Sequence, residues 1–342
     1  MLFDNLEQLI EEKYINVSSH ESDSDFKIYN YSQNTQFKRH WNETTLNCRG
    51  LIAHKNIIVA RGPKKFFNIG EVANPPIEEA TGVYEKVDGS LGIPYNVNGT
   101  LHIATRGAFH SAQAQYATEL LYEYNDDFFN IVLDMLEDGL TPIFEIIYPN
   151  NQVVVNYGDR DELVYIGTVN NKTGIIDFES HREIFEPHCT LVKKYTVNDK
   201  IPENSEGFVV QFADGLCIKV KSDWYIKLHR IVANRDFHKT VLESLMEEDF
   251  KWLEDVPDEF YKEIHEIKSE YENRLNSECN RITALLMGIK EKNKEDKEIA
   301  IEIQKHKEDQ SFLFNLWRKD CSVLEKLLLK SFLNEYRKSN NS

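Results

Sequence analysis

Turn-forming residues are concentrated in the front two thirds of this chain of 342 residues. Of its 15 glycines and 9 prolines, only Gly288 and Pro257 lie beyond residue 216. Glycine and proline interrupt regular elements and build tight turns, so their uneven distribution indicates two parts of different architecture. At about 150 residues per domain, the length also suits two domains. We therefore predict one domain over residues 1–234 and a second over residues 235–342.

The front part is predicted to consist mainly of strands in hairpins. Asn98-Gly99 and Asp214-Gly215 each separate two short apolar runs, a pattern typical of a tight hairpin turn. Two helices are expected between these hairpins, one beginning near Ser111 and one over residues 126–138, which Gly139 would end. Hairpins outnumber strand–helix–strand repeats, which favours an α+β fold with an antiparallel sheet.

The rear part is predicted to be helical throughout. Its apolar residues recur every three or four positions, as on one face of a helix, at Phe260, Ile264, Ile267, Tyr271, Leu275, Cys279, Ile282 and Leu286. Pro257 suits the first turn of this helix, and Leu324 to Phe332 indicate a last one. An intramolecular bundle is favoured over a coiled-coil dimer, and the charged residues 290–298 are expected to be a solvated face or a connection.

Composition excludes several classes of protein. The net charge of −17 argues against a protein that coats nucleic acid indiscriminately, although screening within about 10 Å leaves room for a local basic pocket. No apolar run approaches the roughly 20 residues of a membrane helix, and we expect no membrane contact. The opening residues lack the pattern of a secretory signal, and the five cysteines form no CxxC pair. A cytoplasmic location, in a host cell if the source is viral, is the expectation.

The sharpest motif is Glu85-Lys86-Val87-Asp88-Gly89-Ser90, although a lysine in such a motif alone is more often a surface residue. The order Lys86, Glu145, Glu206, Lys219 and Lys221 is that of the covalent nucleotidyltransferases. Within that superfamily residues 26–229 resemble the RNA ligase 1 family, typified by the tRNA-repair ligase of T-even phages. The segments that carry the resemblance are Cys48-Arg49-Gly50, Lys65-Phe66-Phe67-Asn68, Lys86 to Leu91, Thr105-Arg106-Gly107, Phe144-Glu145, Glu206-Gly207 and Ile218 to Tyr225.

The resemblance implies that Lys86 is the nucleophile that takes AMP from ATP. The residues that it assigns to the nucleotide are Tyr29, Arg49, Lys65, Phe67, Gly89, Arg106, Glu145, Glu206, Lys219, Lys221 and Tyr225. Arg106 replaces a lysine that is common in the family, so its contact with phosphate stays open. Glu145, Glu206 and Glu248 are the expected environment of Mg²⁺, or of Mn²⁺ in its place, with the work of the first two carboxylates undivided.

Chemistry supports these assignments. A free lysine has a pKa near 10.4 and is almost entirely protonated at neutral pH, so neighbouring cations are needed to favour the neutral amine that attacks phosphorus. Lys219 and Lys221 can supply that field, since residues two apart on a strand share a face. Asp88 is expected to shape the turn rather than to act as an acid or base.

The resulting prediction is an ATP-dependent RNA ligase that joins 5′-phosphate and 3′-hydroxyl ends of tRNA or other single-stranded RNA. It is expected to act as a monomer, with an end-healing kinase–phosphatase as a candidate partner. Two alternatives are a guanylylating or adenylylating enzyme such as a capping enzyme, and a non-catalytic RNA-binding protein on a ligase fold. Capping enzymes and DNA ligases usually carry a small β barrel after the last lysine motif, whereas this chain continues with a helical pattern.

Overall fold

The computed structural model describes residues 5–151, 153–233, 236–250, 260–293, 295–319 and 321–340. The strands in these ranges are β1 (Ile15–Ser19), β2 (Phe26–Tyr31), β3 (Arg49–His54), β4 (Ile57–Arg61), β5 (Phe67–Asn68), β6 (Gly82–Lys86), β7 (Ser90–Val97), β8 (Thr100–Ala104), β9 (Leu140–Ile147), β10 (Glu162–Asn170), β11 (Ile176–Asp177), β12 (Lys194–Tyr195), β13 (Gly207–Gln211) and β14 (Cys217–Lys221).

The helices follow the same chain order. They are α1 (Leu6–Glu11), α2 (Gln33–Phe37), α3 (Glu43–Asn47), α4 (Ala112–Leu121), α5 (Asp126–Glu137), α6 (Arg182–Phe185), α7 (Asp223–Ala233), α8 (Phe237–Glu247), α9 (Tyr261–Lys292), α10 (Asp296–Lys305), α11 (Gln310–Arg318) and α12 (Cys321–Asn340). The chain divides into two compact units, Met1–Val232 and Ala233–Ser342.

Three sheets build the first unit. Their strand orders are β1-β2-β3-β4, β11-β10-β9-β7-β8 and β12-β6-β13-β14-β5. Neighbouring strands pair antiparallel except for β14 and the two-residue β5, which run parallel. The predicted fold class, an antiparallel α+β domain followed by an all-α part, is confirmed.

Both predicted hairpins form. Strands β7 and β8 pair with Val97 opposite Thr100, and β13 pairs with β14 from Gly207–Lys221 to Gln211–Cys217. In the first turn Asn98 and Gly99 both have positive φ, 53° and 87°. This is the turn geometry whose twist matches that of the flanking strands, which explains why an Asn-Gly pair stands there.

The main hydrophobic core lies beneath α4 and α5, on the second sheet. Helix α4 begins after Ser111, whose side chain accepts a hydrogen bond from the Ala114 amide, and α5 buries Phe128, Val132 and Met135 before Gly139 ends it. The two predicted helices are therefore confirmed. The floor of this core is formed by β7, β9 and β10, and β9 also carries Glu145 of the candidate site.

The second unit is an intramolecular helix bundle. The predicted stripe lies on α9, where Ile264, Ile267 and Ile282 are buried, and α8, α11 and α12 pack against that helix. The last predicted helix lies within α12. The charged stretch from residue 290 includes the end of α9 and the start of α10. Pro257 lies outside the described residues.

Two further sequence expectations bear on the class of protein. In the described part of the chain, no helix combines the length and the apolar character needed to cross a membrane. The five cysteines are all free, and Cys48 and Cys217 are buried.

Candidate active site

Three neighbouring strands of the third sheet bring the principal site residues into register. Lys86 ends β6, Gly207 begins β13 and Lys221 ends β14, and Gly207 is paired with both lysines. A Cβ at Gly207 would lie 2.1 Å from the Val220 carbonyl oxygen, and the φ of +151° also disfavours other residues. Glycine therefore allows the three strand ends to close up, which fixes the position of Glu206 directly before it.

Glu206 joins the two lysines. Its Oε2 lies 2.6 Å from Lys86 Nζ and its Oε1 lies 3.3 Å from Lys221 Nζ. The side chain of Glu206 is only 3% exposed, whereas that of Lys86 is 22% exposed. A carboxylate removed from water in this way needs charge partners, and the two ammonium groups supply them. The exposed fraction of Lys86 leaves the predicted nucleophile accessible from outside.

Glu145 approaches the same motif from β9 of the second sheet. Its Oε1 accepts a hydrogen bond of 3.0 Å from the Gly89 amide. Loss of hydration raises the pKa of Glu145 to about 7, while Lys86 lowers it and Glu206 adds to the rise. The site thus contains a carboxyl group whose pKa is raised toward neutrality by loss of hydration, close to Lys86, the predicted nucleophile.

Asp88 is a buried anchor for the loop that follows Lys86. Its Oδ2 accepts hydrogen bonds of 2.8 Å from the amides of both Val154 and Val155, and its Oδ1 accepts one of 2.8 Å from the Tyr225 hydroxyl. The Asp88 amide donates to the Tyr157 hydroxyl. This arrangement is that of a residue that shapes the turn, as expected from the sequence, and it places Tyr225 beneath the motif rather than in solvent. The Lys221 ammonium lies 5.2 Å from the centre of the Tyr225 ring.

Two arginines predicted to lie at the nucleotide are close together in the fold. Arg49 begins β3, and Arg106 follows the end of β8. A Cβ on Gly50 would lie 3.4 Å from the Arg106 carbonyl oxygen, so the two backbones are adjacent. The guanidinium of Arg49 lies 5.5 Å from the Phe66 ring and that of Arg106 lies 5.6 Å from the Tyr31 ring. Arg106 is exposed and can reach a ligand, while its role stays a prediction.

Lys65 occupies an aromatic enclosure. Its side chain has no solvent exposure, and its ammonium lies 5.2 Å from the ring centres of both Trp41 and Phe67 and 3.6 Å from Glu71 Oε1. Cation–π attraction and one carboxylate compensate for the loss of hydration. The phosphate contact assigned to Lys65 remains a prediction, and in this conformation the ammonium is screened from solvent.

Three other predicted residues lie in sheets. Phe67 is buried and pairs with Ile218 in the parallel contact of β5 and β14, and Lys219 lies opposite Val209 and Asn68. Tyr29 is buried in a separate small core beside α1 and β1, where burial raises the pKa of its hydroxyl. Their assignments to the nucleotide also stay predictions.

Glu248, the third predicted metal ligand, belongs to the second unit. It is exposed and follows the C-terminal end of α8 with left-handed backbone, φ 56°. Among the described residues, the group of three side chains spaced closely enough for a metal ion is Asp23 and Asp25, in the loop between β1 and β2, with His54 at the end of β3. Glu248 as a metal ligand stays a prediction.

Arg61 is a supporting residue that sequence reasoning missed. It is 1% exposed at the end of β4, and its guanidinium donates to the Asn47 side chain at 2.6 Å, with longer contacts to the Asn47 and Asn171 carbonyls. Burial lowers its pKa to about 10. The contact holds the segment directly before Arg49. Trp41 and Glu71 were missed likewise, because an isolated tryptophan or glutamate carries no spacing signal.

A family model described as RNA ligase matches residues 47–229 of this chain, which is more than half of its length. The matched region contains the Lys86, Glu145, Glu206 and Lys221 constellation. The chain therefore belongs to this RNA ligase family.

Two related proteins have names that include RNA ligase. A protein of Thermovibrio ammonificans assigned as an RNA ligase is 34% identical over 189 residues, which cover 50% of this chain and 49% of that protein. A protein of Autographa californica nuclear polyhedrosis virus assigned as a bifunctional polynucleotide kinase/RNA ligase is 27% identical over 244 residues, covering 61% of this chain and 34% of that protein. The chain thus spans about half of the first relative and about a third of the second.

Solved structures that are similar to this chain include two ligases. One from Aquifex aeolicus, assigned as an ATP-dependent DNA ligase, has 13% sequence identity and a TM-score of 0.45 and covers 80% of this chain and 72% of that one. A variant of the Naegleria gruberi RNA ligase, solved with ATP and manganese, has 14% identity and a TM-score of 0.36 and covers 45% of this chain and 52% of that one.

Proposed function

We propose that the protein is an ATP-dependent RNA ligase that works through a lysyl-AMP intermediate and an adenylylated RNA end. The observation that carries the proposal is the partly exposed Lys86 at a strand end, paired with the buried Glu206, which Lys221 also contacts. Lysine, carboxylate and second lysine at adjoining strand ends are the groups that an adenylyl transfer needs. Lys86, the nucleophile, is accessible, and the Glu206 carboxylate holds it in place. The Lys221 ammonium can balance negative charge that develops during the transfer.

Adenylylation would begin when Lys86 leaves its ion pair with Glu206 and gives up a proton to solvent. The amine nitrogen then forms a bond to the α-phosphorus of ATP while the bond to pyrophosphate breaks. Arg49 and Arg106, adjacent at the ends of β3 and β8, are suited to hold the departing phosphates. Lys221 remains beside Glu206 and balances its charge after Lys86 has moved.

Two further transfers would complete the ligation. An oxygen of the RNA 5′-phosphate attacks the AMP phosphorus, the nitrogen–phosphorus bond breaks and Lys86 regains a proton. The RNA 3′-hydroxyl then attacks the adenylylated 5′-phosphorus and releases its proton to solvent, a phosphodiester forms and AMP departs with the bonding electrons. Each step exchanges one bond at phosphorus for another, so no oxidant or reductant is needed.

The carboxylates suit a divalent metal of the magnesium type, which prefers hard oxygen ligands. Glu145 keeps one oxygen, Oε2, without a hydrogen bond from any described residue, since Gly89 donates to Oε1. Glu206 is engaged by lysines at both oxygens and would offer one when Lys86 moves away. When bound, Mg²⁺ or Mn²⁺ would neutralise phosphate charge.

RNA as the acceptor is supported by the family and by the names of the relatives. The viral relative's name joins an end-modifying kinase to a ligase, and a kinase that leaves 5′-phosphates would prepare the ends that this chain is proposed to seal. A guanylylating enzyme remains the alternative, and the nucleotide used in the test below distinguishes it.

The test is detection of a protein–AMP adduct with α-labelled ATP, in parallel with α-labelled GTP. Protein is first treated with pyrophosphate, which removes AMP already attached. We expect labelling from ATP in the wild type and none in Lys86→Ala, while Lys86→Ala still seals RNA that was adenylylated beforehand. Labelling from GTP would support the alternative, and stripped wild-type protein that takes no label would refute the adenylylation proposal.

A further inference from the structure

A basic segment follows the short helix α2. Lys38 caps the C-terminal end of α2, and Arg39 continues with left-handed backbone at φ 53°. Both side chains are exposed, and His40 is partly exposed beside them. Lys13, also exposed, lies at the end of the neighbouring loop after α1. We call Lys13, Lys38, Arg39 and His40 the basic corner.

Aromatic stacking and backbone hydrogen bonds fix the basic corner in place. The rings of Tyr14 and His40 are stacked at 3.9 Å, and Lys38 Nζ lies 5.7 Å from the Tyr14 ring centre. Ser32 donates a hydrogen bond of 2.6 Å to the Lys13 carbonyl, and Thr35 donates to the Tyr14 carbonyl. A segment that is ordered beforehand loses less conformational entropy when a ligand binds to its cations.

Lys38 and Arg39 form no ion pair with the described residues, although Lys38 lies over the Tyr14 ring. Lys38 and Arg39 have no carboxylate within ion-pair distance among the residues whose placement is described. In a chain of net charge −17, an exposed lysine–arginine pair without such a partner is a local site of attraction for an anion. The favourable interaction of a cation with the end of α2 accounts for Lys38 and leaves Arg39 unexplained.

A chain of contacts links the basic corner to Arg106 in the candidate active site. The Trp41 amide donates to the Arg39 carbonyl at 2.8 Å, and the Trp41 ring lies 5.1 Å from the ring of Tyr31. The guanidinium of Arg106 lies 5.6 Å from the centre of the Tyr31 ring. Trp41 and the buried Tyr31 therefore link the basic corner to the exposed Arg106.

We propose that the basic corner binds the phosphate backbone of an RNA strand whose end lies in the active site. The exposed cations of the corner and their link to Arg106 favour a polyanion that extends away from Arg106. The inference rests on the proposed function, because RNA is the substrate which that function supplies. Contacts to phosphate position a strand without reading its sequence, so the corner is expected to tolerate any base.

The test measures binding of fluorescent single-stranded RNA with a 5′-phosphate by anisotropy over a series of salt concentrations. We expect Lys38→Ala combined with Arg39→Ala to weaken binding roughly tenfold at moderate salt and to reduce the slope of log affinity against log salt by about 1.4, the value for two lost phosphate contacts. Lys38→Arg combined with Arg39→Lys keeps both charges and should bind as the wild type does.

Lys172→Ala combined with Lys200→Ala is the matched control, since these lysines are exposed on other segments of the first unit. Equal losses in the control and the test variant would overturn the proposal, as would unchanged affinity and slope in the test variant. Loss of binding to polyglutamate with RNA binding intact would assign the corner to an acidic protein and also overturn it.

AMP labelling separates this proposal from the proposed function. Wild-type protein that forms the AMP adduct while the test variant binds RNA normally refutes the corner alone. Wild-type protein that never takes label refutes the adenylylation chemistry, and the anisotropy series, which needs no catalysis, still decides on the corner.

Discussion

At the scale of single residues, the site contains a carboxyl group, Glu145, whose ionised form is disfavoured by its surroundings. Glu145 accepts the Gly89 amide and lies near Glu206, and its pKa is raised from 4.5 to about 7. The unfolded chain therefore releases this proton at lower pH than the folded protein does. The free energy of unfolding should fall as pH rises from about 4.5 to 7, because in that range Glu145 ionises in the unfolded chain but stays protonated in the folded protein.

Glu145→Gln tests this penalty. The amide cannot ionise, and its oxygen can still accept the Gly89 hydrogen bond, so the variant should be more stable than the wild type by up to about 3 kcal/mol above pH 7. Near pH 4 the difference should be close to zero. Urea unfolding at the two ends of this range measures it, and an advantage independent of pH would contradict the assigned cause.

Asp88 is the second residue whose role rests on measurable contacts. Asp88→Ala removes the acceptor of two buried amides and of the Tyr225 hydroxyl, and we expect a loss of about 3 kcal/mol or more in stability. Tyr225→Phe removes one of these bonds and should cost about 1 kcal/mol. Since they share a hydrogen bond, the double variant should lose less than the summed single losses. Additive losses in urea unfolding would show that the two residues are not coupled.

At the scale of the elements, the site depends on three strand ends that meet at Gly207. Gly207→Ala places a methyl group against the Val220 carbonyl and should lower stability by about 3 kcal/mol, with a parallel loss of AMP labelling as Lys86 and Glu206 separate. Gly288→Ala is a matched substitution in α9, where a Cβ meets nothing within 4 Å, and it should stabilise by about 0.5–1 kcal/mol. A stable, fully labelled Gly207→Ala protein would show that the strand ends tolerate displacement.

At the scale of the whole molecule, all residues of the Lys86 cluster belong to the first compact unit. A chain that ends after residue 234 should therefore retain AMP labelling, whereas a chain that ends after residue 222 also loses α7 with Tyr225 and should label poorly. Labelled ATP applied to both truncations decides this. If the longer truncation folds, by thermal melting, and fails to label, adenylylation requires the helical unit, and the proposed domain boundary has no functional meaning.

The helical unit also shows which features the periodic spacing of apolar residues can predict. A repeat of three to four residues predicted α9 correctly, because helix formation and burial of one face are governed by neighbours in the sequence. The Asn98-Gly99 hairpin was predictable for the same reason, since its turn needs two residues with positive φ. Neither pattern could predict the enclosure of Lys65 by Trp41, Phe67 and Glu71, which come together only through packing.

The sequence by itself determined the order of chemically distinctive residues, the antiparallel and helical parts of the chain, and the family to which the chain belongs. Turn chemistry and periodicity depend on residues close in sequence, and the order of motifs is a property of the sequence itself, so all three can be recognised without coordinates. The tertiary structure decided that Glu206 lies between Lys86 and Lys221, that Arg61 supports the segment before Arg49, and that the pKa of Glu145 lies near neutrality. These features depend on strand register and on loss of hydration, which arise only when residues far apart in the chain are packed together.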